Sequence, residues 1–231
     1  MDFIEGEILY IDKPLHWTSF RVVRVIRAKL CQKLHIKKLK VGHAGTLDPL
    51  ATGVMTICTG KKTKLIEKLQ AETKEYVAEV RLGATTPSFD LETEIDAEYP
   101  TAHITKEMVV AVLHRFTGSI EQIPPLFSAV KVDGKRAYEF ARKNEDIELK
   151  PKLLVIDSIE LIAYHLPDIT LRVVCSKGTY IRALARDIGE ALYSGAHLTG
   201  LIRTRVGETT VDQCLKMDEV DQFLEKNINI I

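Results

Sequence analysis

A single carboxylate stands in the stretch KVGHAGTLDPLATGVM, residues 40–55. Asp48 is the only acid of this stretch, and most of its neighbours are small or apolar. Gly42, Gly45 and Gly53 permit tight turns and a close approach of the backbone, which a loop that presents one side chain to a bulky ligand requires. The composition is therefore consistent with a catalytic carboxylate.

A structural role would explain the same residues. Asp followed by Pro is a favourable helix start, with Asp48 as the N-cap, Pro49 as the first helical residue and residues 50–55 as a short helix. Residue types alone leave the cap and the catalyst open as interpretations of Asp48.

Other catalytic signatures are missing from the sequence. It contains no His-Glu-x-x-His, Gly-x-Ser-x-Gly or Gly-x-Gly-x-x-Gly pattern, which argues against the usual zinc, hydrolase and dinucleotide sites. Gly60-Lys61-Lys62-Thr63 resembles the end of a P-loop, but a second Lys precedes Thr63 and Gly53 lies at the wrong spacing. The four cysteines form no Cys-x-x-Cys pair. The sequence therefore predicts neither a metal site, a disulfide framework nor an NTPase.

Basic residues are concentrated in the first part of the chain, although the formal net charge is 0. Residues 1–70 contain 13 Lys and Arg against 6 Asp and Glu. No acid occurs between Asp12 and Asp48, where nine basic residues lie: Lys13, Arg21, Arg24, Arg27, Lys29, Lys33, Lys37, Lys38 and Lys40. A solvated helix face is the alternative, but an acid-free run of this length favours a phosphate-bearing partner.

The elements that must position these residues alternate irregularly. Strand-like runs occur at EILYI, VMTIC, EYVAEVRL, LLVIDSIELIAY and ITLRVVC. Helix patterns occur at FRVVRVIRAKLCQKL, KEMVVAVLHRF, RAYEFARK, YIRALARDIGEAL and MDEVDQFLEK. We expect Ser19 to cap the first of these helices, on which Arg21, Arg24 and Arg27 recur at every third residue. The order of elements indicates an α+β fold.

The composition, 45% hydrophobic and 28% charged, is ordinary for globular proteins. No apolar run approaches the roughly 20 residues that span a bilayer, and the N-terminal MDFIEGEILYIDKP has acids where a signal peptide has positive charge. We expect no membrane segment, a cytoplasmic location and one domain over residues 1–231.

The motif around Asp48 resembles the catalytic motif of the bacterial tRNA pseudouridine synthase B family. Other blocks resemble that family in order along nearly the whole chain: DKP and WTSF (12–20), KEYVAEVRLG (74–83), IPPLFSAVKVDGKRAYEFAR (123–142), CSKGTYIRALARDIG (175–189) and GAHLTGLIRTRVG (195–207). The resemblance implies the pseudouridine synthase fold, a mixed, largely antiparallel sheet flanked by helices and loops. It also implies an enzyme that flips the uridine at position 55 of the TΨC loop of tRNA and isomerises it, without cofactor or metal.

The resemblance further implies three catalytic residues. Asp48 is the implied carboxylate, which attacks the nucleoside or stabilises the detached sugar. Arg182 is its implied partner, because a guanidinium keeps a carboxylate ionised in a dry site. Tyr76 is implied to lie against the target base and to transfer a proton. The alternatives are a surface position for Arg182 and core packing for Tyr76.

The resemblance also implies substrate contacts. His43 is implied to fill the space that the flipped bases leave, and Tyr180 and Leu201 to line the uracil pocket; core or structural roles are the alternatives. The basic segment supplies candidate phosphate contacts: Lys13, Arg21, Arg24 and Lys37.

Several positions depart from the family pattern. The sequence Thr86-Pro87-Ser88-Phe89-Asp90 stands where Thr-Asp-Thr-x-Asp is common, so Asp90 is retained in an altered loop. Phe127 stands where Tyr is common, His16 where Gly is common, and Ile202 where the first of two arginines is common. We expect these changes to affect RNA contacts more than chemistry.

We expect a monomer that acts on the T-arm stem-loop of tRNA without an obligate protein partner. No complete C-terminal PUA domain, which many relatives carry, is expected after GLIRTRVG. Two other functions compete with this interpretation, a non-catalytic RNA-binding or RNA-folding module and a nucleotide phosphotransferase. Intact Asp48, Tyr76 and Arg182 argue against the first, and the broken P-loop argues against the second.

Overall fold

The computed structural model describes residues 1–128, 130–132, 134–141, 143, 145 and 147–228. The chain divides into two compact units. Unit 1 comprises Met1–Glu75 and the chain from Ile202 onward, and unit 2 comprises Tyr76–Leu201. The interpretation of residues 1–231 as one catalytic domain stays a prediction.

Helices and strands alternate irregularly along the described residues. The strands are β1 (Ile8–Lys13), β2 (Val41–Ala44), β3 (Ala51–Thr59), β4 (Lys74–Leu82), β5 (Ala84–Thr85), β6 (Ala97–Glu98), β7 (Gly118–Gln122), β8 (Lys131–Val132), β9 (Lys135–Arg136), β10 (Lys152–His165), β11 (Asp168–Cys175), β12 (Ala196–Val206), β13 (Thr209–Thr210) and β14 (Leu215–Lys216). The helices are α1 (Ser19–Lys33), α2 (Ile66–Gln70), α3 (Lys106–Arg115), α4 (Ala137–Ala141), α5 (Ile181–Ala191) and α6 (Val220–Asn227), with 3₁₀ turns at Gly60–Leu65 and Val211–Gln213. This order confirms the predicted α+β class.

In unit 1 the strand order is β14-β1-β3-β12, with β2 on β3 and β13 on β12. Strand β14 runs parallel to β1, whereas β3 runs antiparallel to both β1 and β2. Helix α1 buries Val22, Ile26 and Leu30, which recur every four residues and so share one face. They pack in one apolar cluster with residues of β1, β3 and α6, including Val220 and Leu224.

In unit 2 the strand order is β12-β4-β11-β10-β7. Strand β10 is antiparallel to β11 and β7. The described strands are mostly antiparallel, and β1 and β14 are parallel, which is the mixed arrangement that the resemblance predicts. Ile169, Leu171 and Val173 of β11 are at most 1% exposed, because alternate side chains of a strand point to the same face. Helix α3 contacts β10 and α5.

The five predicted strands correspond to β1, β3, β4, β10 and β11, and the five predicted helices to α1, α3, α4, α5 and α6. Strands β2 and β12 are not among the predicted elements. Within the predicted helix RAYEFARK, Arg142 lies outside the described residues. None of the helices in the described part of the chain is long and apolar enough to cross a membrane.

Candidate active site

Asp48 lies in the loop between β2 and β3 of unit 1 and is half-buried. Its carbonyl oxygen accepts a hydrogen bond from the backbone N–H of Ala51 at 3.1 Å, and Ala51 is the first residue of β3. Because a strand and not a helix follows Asp48, the interpretation of Asp48 as a helix N-cap is wrong.

Hydrogen bonds fix the backbone on both sides of Asp48. The hydroxyl of Ser19 donates to the carbonyl of Leu47 and accepts from the N–H of Leu47, both at 2.9 Å. On the other side, the carbonyl of Pro49 accepts from the backbone N–H of His16 at 2.8 Å. His16 has φ 64°, a left-handed conformation that Gly adopts at the lowest cost.

The expectation that Ser19 caps α1 is wrong, as the same contacts show. Thr18, not Ser19, is the N-cap, and its hydroxyl accepts from the N–H of Arg21 at 3.0 Å. Ser19 is 3% exposed and bonds to Leu47 instead. The two neighbouring hydroxyls therefore have different roles. The hydroxyl of Thr18 caps the helix, and the hydroxyl of Ser19 holds the loop before Asp48.

Lys13 lies at the end of β1 and is fully buried. Its Nζ donates to the carbonyls of Pro14 at 2.9 Å, Trp17 at 2.7 Å and Pro49 at 3.4 Å. Burial lowers the pKa of Lys13 to about 8, an effect that the carboxylate of Asp48 opposes and the guanidinium of Arg203 reinforces. The ammonium thus faces carbonyls of its own chain, and its surroundings do not support the predicted phosphate contact.

Arg203 is a site residue that the sequence analysis missed. It lies on β12, is 1% exposed, and donates from Nε to the carbonyl of Val54 at 2.7 Å and from Nη2 to that of Gly45 at 3.2 Å. Gly53 has φ 99°, and a Cβ there would lie 2.2 Å from the carbonyl oxygen of Arg203. Arg203 therefore joins β3 to the loop that carries Asp48. The only signal in the sequence is its place in the block GLIRTRVG.

His43 lies on β2 and is half-buried. Burial lowers the pKa of its imidazole, and the charge of Arg203 lowers it further, while a backbone hydrogen bond with Gly45 acts in the opposite direction. The ring is therefore neutral at pH 7. A neutral aromatic ring suits stacking on a base better than it suits pairing with a phosphate.

Arg182 is the second residue of α5 in unit 2 and is 4% exposed. It donates from Nη1 to the carbonyl of Ser88 and from Nη2 to that of Phe127, both at 3.0 Å. Its Nε lies 3.5 Å from a carboxylate oxygen of Asp90, which is 5% exposed. A buried charge needs such partners, and Asp90 is thus a second site residue to which the sequence analysis gave no role.

The departures at Ser88 and Phe127 do not remove these contacts. Both residues meet Arg182 through backbone carbonyls, which any side chain at those positions leaves in place. The altered loop therefore still presents Asp90 to Arg182.

The remaining predicted pocket residues also belong to unit 2. The N–H of Tyr180 donates to Oε1 of Gln122 at 2.9 Å, and Nε2 of Gln122 donates to the carbonyl of Tyr180 at 3.2 Å. Gln122 is 1% exposed, so it fixes the start of α5. Tyr76 on β4 is 8% exposed, and Leu201 on β12 is half-buried.

The structure thus brings Asp48, His43 and Lys13 together with Arg203 in unit 1, and Arg182 together with Asp90 in unit 2. The predicted pairing of Asp48 with Arg182 stays a prediction. In the part of the chain that is described, no cluster of His, Cys, Asp and Glu could hold a metal ion.

Acids from elsewhere in the chain pair with part of the basic segment. Arg21, Arg24 and Lys37 are exposed, as a contact with phosphates requires. Lys33 forms an ion pair with Glu225 of α6 at 2.7 Å, and Lys29 forms one with Asp221. The second half of α1 is therefore compensated by α6.

Comparison with known proteins identifies relatives along the whole chain. The family model "TruB family pseudouridylate synthase (N terminal domain)" matches residues 32–181, and the model "tRNA pseudouridylate synthase B C-terminal domain" matches residues 182–229. A tRNA pseudouridine synthase B from Phocaeicola vulgatus is 69% identical over 98% of this chain and 96% of its own. One from Parabacteroides distasonis is 67% identical over 99% of this chain and 97% of its own.

Solved structures confirm the predicted pseudouridine synthase fold. A chain in the crystal structure of a Cbf5–Nop10–Gar1 complex has a TM-score of 0.70 and 29% identity, over 98% of this chain and 58% of that one. A chain in an H/ACA RNP bound to a substrate RNA containing 2′-deoxyuridine has a TM-score of 0.68 and 27% identity, over 99% of this chain and 57% of that one. This chain spans a little over half the length of both.

Proposed function

Because this chain belongs to the TruB family of pseudouridylate synthases, we propose that it converts uridine to pseudouridine at position 55 in the TΨC loop of tRNA. In this reaction the bond between N1 and the ribose C1′ breaks, the uracil rotates, and a bond between C5 and C1′ forms. The proton leaves C5, and N1 ends protonated, so the product is an isomer of the substrate. No oxidant, reductant or transferred group is needed.

Asp48 is the proposed catalytic carboxylate. Its attack on the nucleoside, or its stabilisation of the cationic sugar, corresponds to the work of the nucleophilic carboxylate in a retaining glycosidase. The observation that carries this proposal is the loop itself, which holds Leu47 and Pro49 by hydrogen bonds from Ser19 and His16. A carboxylate with both flanks fixed is held ready for attack rather than ordered by the substrate.

The other proposed roles follow from the family motifs. Arg182 pairs with Asp48, and Tyr76 transfers the proton. The neutral ring of His43 fills the space that the flipped nucleotide leaves, which offsets part of the few kcal/mol that unstacking costs. Tyr180 and Leu201 line the uracil pocket.

We propose that the protein acts as a monomer in the cytoplasm on the T-arm stem-loop, without an obligate protein partner or cofactor. The exposed residues Arg21, Arg24 and Lys37 would meet phosphates of this stem-loop. This proposal is supported by their exposure and by the tRNA named for the curated relatives.

The direct test is incubation of the purified protein with an unmodified T-arm hairpin, followed by mapping of pseudouridine. We expect pseudouridine at the position equivalent to 55 and nowhere else. The matched control is the same hairpin with cytidine at that position. A protein that binds the hairpin but leaves every uridine unchanged would instead be a non-catalytic RNA-binding module.

A further inference from the structure

The first two turns of α1 expose an aromatic residue among arginines. Phe20 is 67% exposed, and Arg21 and Arg24 beside it are exposed as well. Residues three and four apart are neighbours on a helix surface, so Phe20 lies next to Arg24, and Arg24 next to Arg21. We call Phe20, Arg21 and Arg24 the α1 patch.

The patch has a rigid base. The guanidinium of Arg21 lies 4.0 Å from the centre of the Trp17 ring, and Trp17 packs against the apolar cluster of unit 1. The attraction between a guanidinium and the face of an indole ring restricts where the arginine side chain lies. Arg21 is therefore ordered before any ligand arrives.

The patch lies beside the loop that carries Asp48. Ser19, the neighbour of Phe20, bonds through its hydroxyl to Leu47, the neighbour of Asp48. Side chains of a helix tilt toward its N-terminus, so Phe20 leans toward residues 14–18, where His16 bonds to Pro49. A ligand on the patch is thus close to whatever Asp48 acts on.

The charge of the patch is uncompensated. Neither Arg21 nor Arg24 forms an ion pair with any described residue, whereas Lys29 and Lys33 further along α1 are paired with acids of α6. Positive charge therefore faces solvent at this end of the helix. An exposed aromatic ring beside guanidiniums without ion-pair partners matches a nucleotide, because the ring stacks on a base while the cations meet phosphates.

We propose that the α1 patch binds an unpaired nucleotide of the substrate RNA, with its base stacked on Phe20 and its phosphates held by Arg21 and Arg24. The proposal rests on the proposed function in that the ligand is the same RNA. A protein partner fits less well, since one phenyl ring amid arginines offers little of the apolar area of a protein interface.

The test compares Phe20→Ala with Phe20→Tyr on the T-arm hairpin. Phe20 is exposed, so neither change removes a core contact. Because stacking on an aromatic ring strengthens the binding of a base, we expect Phe20→Ala to weaken binding about tenfold. Phe20→Tyr keeps the ring and should bind as the parent protein does. The matched control is Leu153→Ala, which removes an apolar side chain 74% exposed on β10 and should not change affinity or activity.

A spectroscopic readout distinguishes stacking from a general loss of affinity. We expect 2-aminopurine placed in the hairpin loop to be quenched on binding to the parent protein at one position, and that quenching to be lost with saturating Phe20→Ala. Equal affinity of Phe20→Ala and Leu153→Ala would overturn the proposal. So would self-association of the parent protein that Phe20→Ala abolishes, because the patch would then be an interface between two copies.

The two proposals fail separately. If the parent protein makes pseudouridine and Phe20→Ala binds the hairpin as Leu153→Ala does, only the α1 patch is contradicted. If the parent protein binds the hairpin through Phe20 but makes no pseudouridine, the proposed function is contradicted and the patch stands.

Discussion

At the scale of single residues, the loop of Asp48 is fixed through the backbone of its neighbours and not through a helix that Asp48 caps. No helix begins at Asp48, and the bonds that fix its loop go to Leu47 and Pro49. Asn has the same size as Asp but no anionic charge. We therefore expect Asp48→Asn to fold and to lower single-turnover pseudouridine formation more than ~1000-fold.

The comparison for this variant is Asp218→Asn, which neutralises an exposed acid of unit 1 and should leave the rate unchanged. RNA affinity and thermal unfolding are measured on the same preparations. Conversion by folded Asp48→Asn at near the parent rate would mean that the carboxylate is not catalytic.

The lowered pKa of Lys13 predicts how the stability of the protein depends on pH. Its pKa in the folded protein is about 8, against 10.5 for an ordinary lysine. Between these values the unfolded chain binds more protons than the folded protein, so the stability that Lys13 contributes rises with pH. We expect the free energy of unfolding of the parent protein to increase by about 2 kcal/mol relative to Lys13→Met between pH 7 and pH 9.5.

Denaturant unfolding at both pH values checks this prediction, and the difference between the two proteins cancels the titration of all other groups. A difference that does not change with pH would show that Lys13 titrates in the folded protein as it does in the unfolded chain.

At the scale of elements, two neighbouring residues at the start of α1 have different roles, because Thr18 caps the helix and Ser19 holds the loop before Asp48. Ser19→Ala removes the hydroxyl that satisfies both backbone groups of Leu47, and Thr18→Ala removes the helix cap. Each should cost about 1–2 kcal/mol of stability. Only Ser19→Ala should also lower the single-turnover rate, by about tenfold, because it frees the loop beside Asp48.

Thr18→Ala is the matched control, since it carries a similar loss of stability without touching the loop. Ser19→Thr, which keeps the hydroxyl, should recover part of the rate. If both alanine variants lost the same activity, helix stability rather than loop position would be responsible.

Most elements could be predicted from local pattern, because β1, β3, β10 and β11 are rich in β-branched residues and α1 and α3 bury one face. Strand β12 could not. Its sequence AHLTGLIRTRV places Arg203 at a buried position, and only distant partners, the carbonyls of Val54 and Gly45, make that burial tolerable. The interpretation of Asp48 as a helix N-cap is wrong for a related reason. Asp-Pro favours a helix start locally, but the residues after it pair in a sheet.

In the sequence, only motifs point to the candidate site, whose residues stay predictions. Spacing alone did not decide whether Asp48 is a helix cap or a catalytic residue, and it gave no role to Tyr76, Tyr180 or Leu201. Lys13 and Arg203 show the limit of charge patterns, because a cation whose head is buried against carbonyls looks the same in sequence as one that meets a phosphate. Burial distinguishes the two, and it depends on the whole fold.

At the scale of the whole molecule, a net charge of zero conceals a division of charge between the units. Unit 1 contains 18 Lys and Arg against 14 Asp and Glu, and unit 2 contains 14 against 18. We therefore expect RNA binding to depend on salt as in a basic protein. Replacing Arg21, Arg24 and Lys37 together by Glu should weaken binding and reduce the slope of log K against log salt by about 2.

The control for this slope is Lys33→Gln, because Glu225 already compensates Lys33 and its loss should change the slope little. Filter binding of the T-arm hairpin at several salt concentrations gives both slopes. Unchanged binding by the triple variant would mean that the exposed basic residues are only a solvated face.

Unit 1 is built from both ends of the chain, with unit 2 between them. On the ribosome, Val22 and Ile26 emerge long before Val220 and Leu224, which complete their apolar cluster. At roughly 10 residues per second, the interval is about 20 s. During it Lys29 and Lys33 also lack Asp221 and Glu225, so the nascent segment carries more uncompensated positive charge than α1 does in the finished protein.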